Sequence, residues 1–257
     1  MTRSPSMLFL TWQEPESRRI FPIGRLVQLP TGEYEFTYIR AVSDALAVGF
    51  DPLLSFPNLD EVYRYGYFPS LFGNRLMRAS RTDYPAHVAQ LGLDPTNGPL
   101  EPFTVLARSG GRRATDNLEV FAPPTNLGTR VEGLFLARGV RYVPHAEQAL
   151  QHCQAGTPLY VLADVQNAVA RYALALRTEQ TELVGYIPDY LAAELHRLQA
   201  PVDALEVTAE RVNLPPAPIQ HRLLCRFTYP ADQSTGAALF QSERYRPLPA
   251  NASSVAA

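Results

Sequence analysis

Lysine is absent from this chain. All 23 residues of the Lys+Arg class are arginines. A Walker-A phosphate loop needs its lysine on the β/γ-phosphates. A protein-kinase ATP site needs a strand lysine. Schiff-base enzymes need a lysine amine. None of these can be built here in standard form. Phosphate and carboxylate can still be bound by the planar arginine fork or by backbone N–H groups. Cysteine is scarce: Cys153 and Cys225 cannot form a disulfide framework, and the pair fits a reducing, cytoplasmic location. Long apolar runs are missing too. Met7–Trp12 is too short for a signal h-region or a membrane span, so neither secretion nor membrane association is expected. Excess charge of either sign is lacking. The net charge is −2, with 13 Arg against 13 acids through Arg130 and 10 against 12 after it. There is no global basic footprint for nucleic acid.

Catalytic and metal patterns are equally thin. There is no G-x-S-x-G elbow and no H-E-x-x-H helix. His87, His145, His196 and His221 lie apart, and His152-Cys153 has no further ligand at useful spacing, where structural zinc wants four. The expectation is a non-enzyme with no cofactor and no metal.

What is present is a globular composition, 46% apolar over 257 residues, with 23 prolines that keep elements short. Met7–Trp12 and Phe21–Leu29 read as strands. Pro30-Thr31-Gly32 is a turn signal. Glu33–Ile39 alternates, with Tyr34, Phe36 and Tyr38 on one face and Glu33, Glu35 and Thr37 on the other, which reads as a half-buried strand. Short helices are expected around Pro69–Ala79, Tyr84–Leu91 and Pro102–Ala107, then a strand at Thr115–Phe121. Pro123–Gly128 is the best linker. Further strands are expected at Gly133–Arg138, Pro158–Ala163, Ala173–Arg177, Leu183–Ile187, Leu205–Val212 and His221–Tyr229. Two helices fit Pro144–Gln154 and Pro188–Leu198, the second with Pro188 in its first turn. The fold class is therefore α+β: an N-terminal β-meander with short helices, then a small β-barrel with two helices. The corresponding domains are residues 1–122, a linker at 123–130, a barrel at 131–229 and a flexible tail at 230–257.

Several stretches carry charge or rings. Ser109-Gly110-Gly111-Arg112-Arg113 is the most phosphate-friendly by composition, because two glycines can converge N–H groups into an anion nest. A flexible turn between helix and strand with solvated arginines is the simpler explanation. Arg75 and Arg78 would share a solvated face of a helix over Pro69–Ala79. Tyr63, Tyr65, Tyr67 and Phe68, interleaved with Arg64, could stack bases or pack a core.

The second half contains Arg138-Gly139-Val140-Arg141-Tyr142, then Asp164-Val165-Gln166-Asn167-Ala168-Val169-Ala170, then Val184-Gly185-Tyr186-Ile187-Pro188. On these runs, about residues 131–229 resemble a HIRAN domain, a small barrel of the OB/SH3-like kind found at the N-terminus of some SWI/SNF-type DNA-repair ATPases. It implies binding of single-stranded DNA, including a 3′ end, in a pocket of aromatic and acidic residues. The residues it nominates for nucleic acid are Arg138, Arg141, Tyr142, Asn167, Arg171 and Tyr186. The chain departs from the family run where Val165 and Ala168 replace prolines and Ala170 replaces an aspartate. Asp189 stands where a basic residue is common. Alanine accepts no hydroxyl hydrogen bond, and Asp189 repels phosphate. The first half contains Ile23-Gly24-Arg25-Leu26, Gly32–Tyr38, Pro52–Pro57, Leu71–Leu76 and Val105–Thr115. On these it more faintly resembles the N-terminal region of HipA-type toxin kinases. That resemblance implies a protein partner without kinase activity, since the kinase core is absent. The sequence thus supports a nucleic-acid-binding protein and, as alternative, a regulatory protein-interaction module.

Overall fold

The computed structural model describes residues 6–199, 201–231 and 239–253. In chain order the elements are β1 (Met7–Gln13), β2 (Ile20–Gln28), β3 (Tyr34–Tyr38), α1 (Val42–Leu46), β4 (Tyr63–Tyr65), α2 (Ser70–Gly73), α3 (Tyr84–Gln90), α4 (Pro102–Ser109) and β5 (Leu118–Phe121). They continue with β6 (Thr125–Asn126), β7 (Arg130–Leu136), α5 (Ala146–Gln151), β8 (Pro158–Ala163), β9 (Leu174–Arg177), β10 (Leu183–Tyr186), α6 (Asp189–Arg197), β11 (Glu206–Val212) and β12 (Leu223–Pro230). The chain divides into two compact units. Unit 1 takes residues 1–81, 98–123 and 239–257; unit 2 takes 82–97 and 124–238. The class is α+β, with two antiparallel sheets and short helices.

Unit 1 is a five-stranded sheet in the order β4-β3-β2-β1-β5. The β1–β2–β3 meander follows from the Pro30-Thr31-Gly32 turn, where Gly32 N–H donates to Leu29. One sheet face buries Leu8, Leu10, Ile23, Phe36 and Tyr38 with Phe56, Phe72, Phe103 and Leu106 from outside the sheet. Tyr38 ties this core to the following loop: its hydroxyl donates to Phe56 O and accepts from Leu53 N–H, both at 2.8 Å. The opposite face is covered as well. Phe9 meets Phe121, Phe240 and Tyr245 at centroid distances of 5.4, 6.2 and 5.2 Å. The half-buried reading of Glu33–Ile39 is therefore corrected. Glu35 and Thr37 are buried because residues 239–253 pack on their face. Arg64 Nε and the Ser253 N–H and Oγ satisfy the Glu35 carboxylate at 3.0, 2.8 and 2.8 Å.

Unit 2 carries a seven-stranded sheet in the order β10-β9-β8-β11-β12-β7-β6. Its core includes Val131, Phe135, Leu176, Val184, Val207 and Phe227, with Leu191 and Leu195 of α6 and Leu150 of α5. The expected barrel does not close as a ladder. One isolated bridge, Arg138 to Tyr186, links the chain just past β7 to the end of β10, with both N–H···O bonds at 2.8 Å. The bridge needs glycines on either side of it. Gly139 has φ +68°, and a Cβ there would sit 2.9 Å from the Tyr186 ring. Gly185 has φ +146°, and a Cβ there would sit 2.9 Å from Arg138 O.

Boundaries moved in instructive places. The helix expected over Pro69–Ala79 is one turn, α2, and Arg75 beyond it is buried rather than solvated. Pro188 occupies the N-cap of α6, not its first turn. The linker candidate Pro123–Gly128 contains β6, which pairs with β7. Of the segment read as a flexible tail, 232–238 and 254–257 lie outside the described residues. Leu239, Phe240 and Tyr245 are buried in unit 1, and Leu248 N–H donates to Tyr38 O at 2.9 Å.

Candidate nucleic-acid interface

Two of the six residues expected to form the site on unit 2, Asn167 and Tyr186, meet at a third residue, Asp164. The turn after β8 ends its strand ladder at Asp164 N–H, which donates to Ala173 O at 2.9 Å. Asn167 then folds the turn back. Its Oδ1 accepts from the N–H groups of Val169 and Ala170 at 3.0 and 2.9 Å, and its Nδ2 donates to Asp164 Oδ2 at 3.0 Å. This is the local role an asparagine side chain plays in a turn. Tyr186 O–H donates to the same Asp164 oxygen at 3.0 Å. The Asn167 bond, then the Tyr186 bond, hold the Asp164 carboxyl below the usual carboxylate range. Burial, helped by Asp164, raises the Tyr186 phenol above its usual value. Arg138 joins the group through its backbone bridge to Tyr186.

The remaining nominees sit on exposed chain. Gly139 turns the chain into a single 3₁₀ turn, Val140–Tyr142. Val140 is buried, and Arg141 and Tyr142 face outward. Tyr142 is 78% exposed, and the Arg141 guanidinium lies 5.8 Å from its ring centroid. Arg171, also exposed, lies 5.4 Å from the Tyr172 ring. Tyr172 stacks on His196 at 3.7 Å and 19°. A third pair escaped the sequence reading: Arg177 lies 4.6 Å from the Tyr160 ring. Its partners are 17 positions apart and meet only through the β8–β9 register. Unit 2 thus presents three arginine–tyrosine pairs, each a cation beside a π-face.

The phosphate candidate, Ser109–Arg113, belongs to unit 1. Gly110 is the left-handed C-cap of α4, and its N–H donates to Leu106 O at 3.0 Å. Gly111 N–H donates to Ser109 Oγ at 3.2 Å. Both glycine amides that could have formed a nest are engaged within the turn. Arg112 Nε lies 3.8 Å from Glu119. Arg112, Arg113 and Arg18 share a cleft of about 190 Å³ with Asp116 and Glu119. Tyr63, Tyr65 and Phe68 pack against the unit 1 core, while Tyr67 is 63% exposed.

Among the described residues, no group of three or more His, Cys, Asp or Glu could hold a metal ion. No helix among them is long and apolar enough to cross a membrane. No family model matches the sequence, and no curated protein does. Two solved structures overlap part of the chain. A Lactobacillus plantarum protein from a structural genomics consortium is 19% identical, covers 39% of this chain and 92% of its own, and has a TM-score of 0.29. The HIRAN domain of human HLTF is 14% identical, covers 43% of this chain and 86% of its own, with a TM-score of 0.29.

Proposed function

We propose that unit 2 binds nucleic acid, single-stranded DNA in particular, without catalysing a reaction. The observation that carries the reading is Tyr142: a tyrosine 78% open to solvent, with the Arg141 guanidinium beside its ring. Single strands are held by aromatic rings that stack on bases and by cations that follow the phosphates. The Arg171–Tyr172 and Arg177–Tyr160 pairs repeat that combination. The Asp164 carboxylate supplies an acceptor that a terminal hydroxyl could use, in place of the aspartate missing at Ala170. Arg138, Asn167 and Tyr186 then act as the frame of the site rather than its contact surface, because their polar groups shape the turn and the bridge.

Fluorescence anisotropy of labelled single strands at low salt tests this. The expected outcome is binding that weakens steeply with salt, because phosphate contacts release counterions. Tyr142→Ala should cost about 1–3 kcal/mol, the worth of one stacked base. No binding near 100 μM protein, roughly the weak end of non-specific affinity, would end the proposal. A protein partner is the second reading. It is favoured by exposed Leu162, Val165 and Val169 around the β8–β9 turn. Unchanged oligonucleotide affinity in Tyr142→Ala, with a stoichiometric protein retained by wild type and lost from Val165→Asp, would favour it.

A further inference from the structure

Unit 1 holds a cavity of about 490 Å³ against the sheet face that residues 239–253 cover. Its size falls in the range of small-molecule sites, roughly 300–1,000 Å³. Arg25, Arg40 and Arg246 line it, and no carboxylate among the described residues does. The charge is built in rather than superficial. Arg25 is only 5% exposed, and one of its terminal nitrogens is tied to Ser253 O. Its Nε is buried with no hydrogen-bond partner. Leaving such a donor unmet is costly in a folded protein. Glu35 acts on the Arg25 charge electrostatically, while its oxygens accept hydrogen bonds from Arg64 and Ser253. Arg40 and Arg246 each spend one nitrogen on Glu243, at 2.6 and 2.8 Å, which fixes both side chains while leaving other donors of each fork. Phe9, Phe240 and Tyr245 also line it, all largely buried and in mutual ring contact.

Three arginines and three aromatic side chains in one lining define the ligand. We propose that this cavity binds a small organic anion, a planar ring carrying a phosphate or carboxylate, with the anionic group on Arg25, Arg40 and Arg246. The cavity is too large for the anionic group alone, and the aromatic lining suits the ring. Arginine forks accept either anion bidentately, so phosphate and carboxylate share one chemistry here.

Isothermal titration calorimetry on the full chain tests it with four probes: adenosine 5′-monophosphate, phenylacetate, adenosine and inorganic phosphate. At least one of the two ring-bearing anions should bind with Kd near or below about 1 mM, a free energy of about −4 kcal/mol. Adenosine and inorganic phosphate should bind about ten-fold more weakly or not at all. Arg246→Gln and Arg40→Gln are solvent-accessible changes that should fold normally, and one or both should weaken binding by about five-fold or more. Arg112→Gln, outside the cavity, should not. Which ring-bearing anion binds separates a phosphate source from a carboxylate source. The proposal is overturned if neither binds at about 10 mM, if adenosine binds as well as its monophosphate, or if both arginine variants bind as wild type. It is also overturned if Tyr142→Ala abolishes binding while the arginine variants do not, since the ligand would then sit on the nucleic-acid surface.

Discussion

Arg75 shows how far a single side chain departs from its sequence neighbourhood. By spacing it belongs with Arg78 on a wet helix face. In the fold its side chain is 1% exposed and bonds Asp116 twice, at 2.7 and 3.1 Å, and Gly111 O at 2.9 Å. It pins the 109–116 turn to the end of α2. Removing one partner of a buried pair costs about 3–5 kcal/mol, and the lower figure applies here because Asp116 keeps 30% of its side chain in water. Arg75→Ala should therefore lose about 3 kcal/mol in urea denaturation. A loss under about 1 kcal/mol would mean the pair is no more than a surface one. Tyr142 is the opposite case. Nothing buries it, so Tyr142→Ala should leave stability within about 0.5 kcal/mol of wild type while lowering oligonucleotide affinity.

At the scale of elements, the Arg138–Tyr186 bridge is the feature most dependent on one residue. Gly139 adopts a left-handed backbone in contact with the Tyr186 ring. An alanine there pays about 1–2 kcal/mol for the conformation alone. Gly139→Ala should cost at least that amount by chemical denaturation. The amides of Arg138 and Tyr186 should also exchange hydrogen faster, while those of β11 and β12 hold their protection. Uniform loss of protection would show that the bridge has no separate stability. Because Asp164, Asn167 and Tyr186 share one node, the same variant should also weaken single-strand binding.

For the whole molecule, the interleaving of the units matters most. Residues 82–97 belong with the second-half sheet, and 239–253 with the first-half sheet. Asn213 Nδ2 donates to Gln90 O at 2.8 Å, and His221 Nδ1 lies 3.2 Å from Gln90 Oε1. A fragment cut as 124–231 would lack Gln90, and one ending at 231 would uncover Phe9 and Phe121. Both fragments should be less soluble and less cooperative than the full chain; a sharp, reversible transition in either would contradict that. Burial, with His87 and Arg138 nearby, pushes His221 down to about 4. Below its ordinary value near 6.5 the unfolded chain takes up a proton that the folded chain refuses. His221 should thus cost stability as pH falls from about 6.5 to 4, on the order of 3 kcal/mol in total. Burial lowers His87 as well, adding loss of the same sign. The slope of denaturation free energy against pH should flatten over that window in His221→Gln.

Much of the architecture was legible in local pattern. Pro158–Ala163 was placed to the residue, and the β1–β3 meander followed from alternation and one turn. The Ser109–Arg113 stretch shows the opposite limit. Composition suggested an anion nest, but whether an amide is free depends on what the preceding helix does with it. The candidate node was half legible: Asn167 and Tyr186 were marked, while Asp164 gained its place only when two strands brought Tyr186 to the turn.

The sequence by itself determined the α+β class, the positions of most strands and the exclusion of lysine-dependent chemistry, because periodicity, turn residues and residue type are local properties. Only the tertiary structure decided that both faces of the first sheet are covered, that the second sheet is joined by a single bridge instead of closing, and that Arg25 and Arg75 are buried. Those outcomes depend on contacts between residues tens to hundreds of positions apart. Burial and partner geometry over such separations have no signature in local sequence.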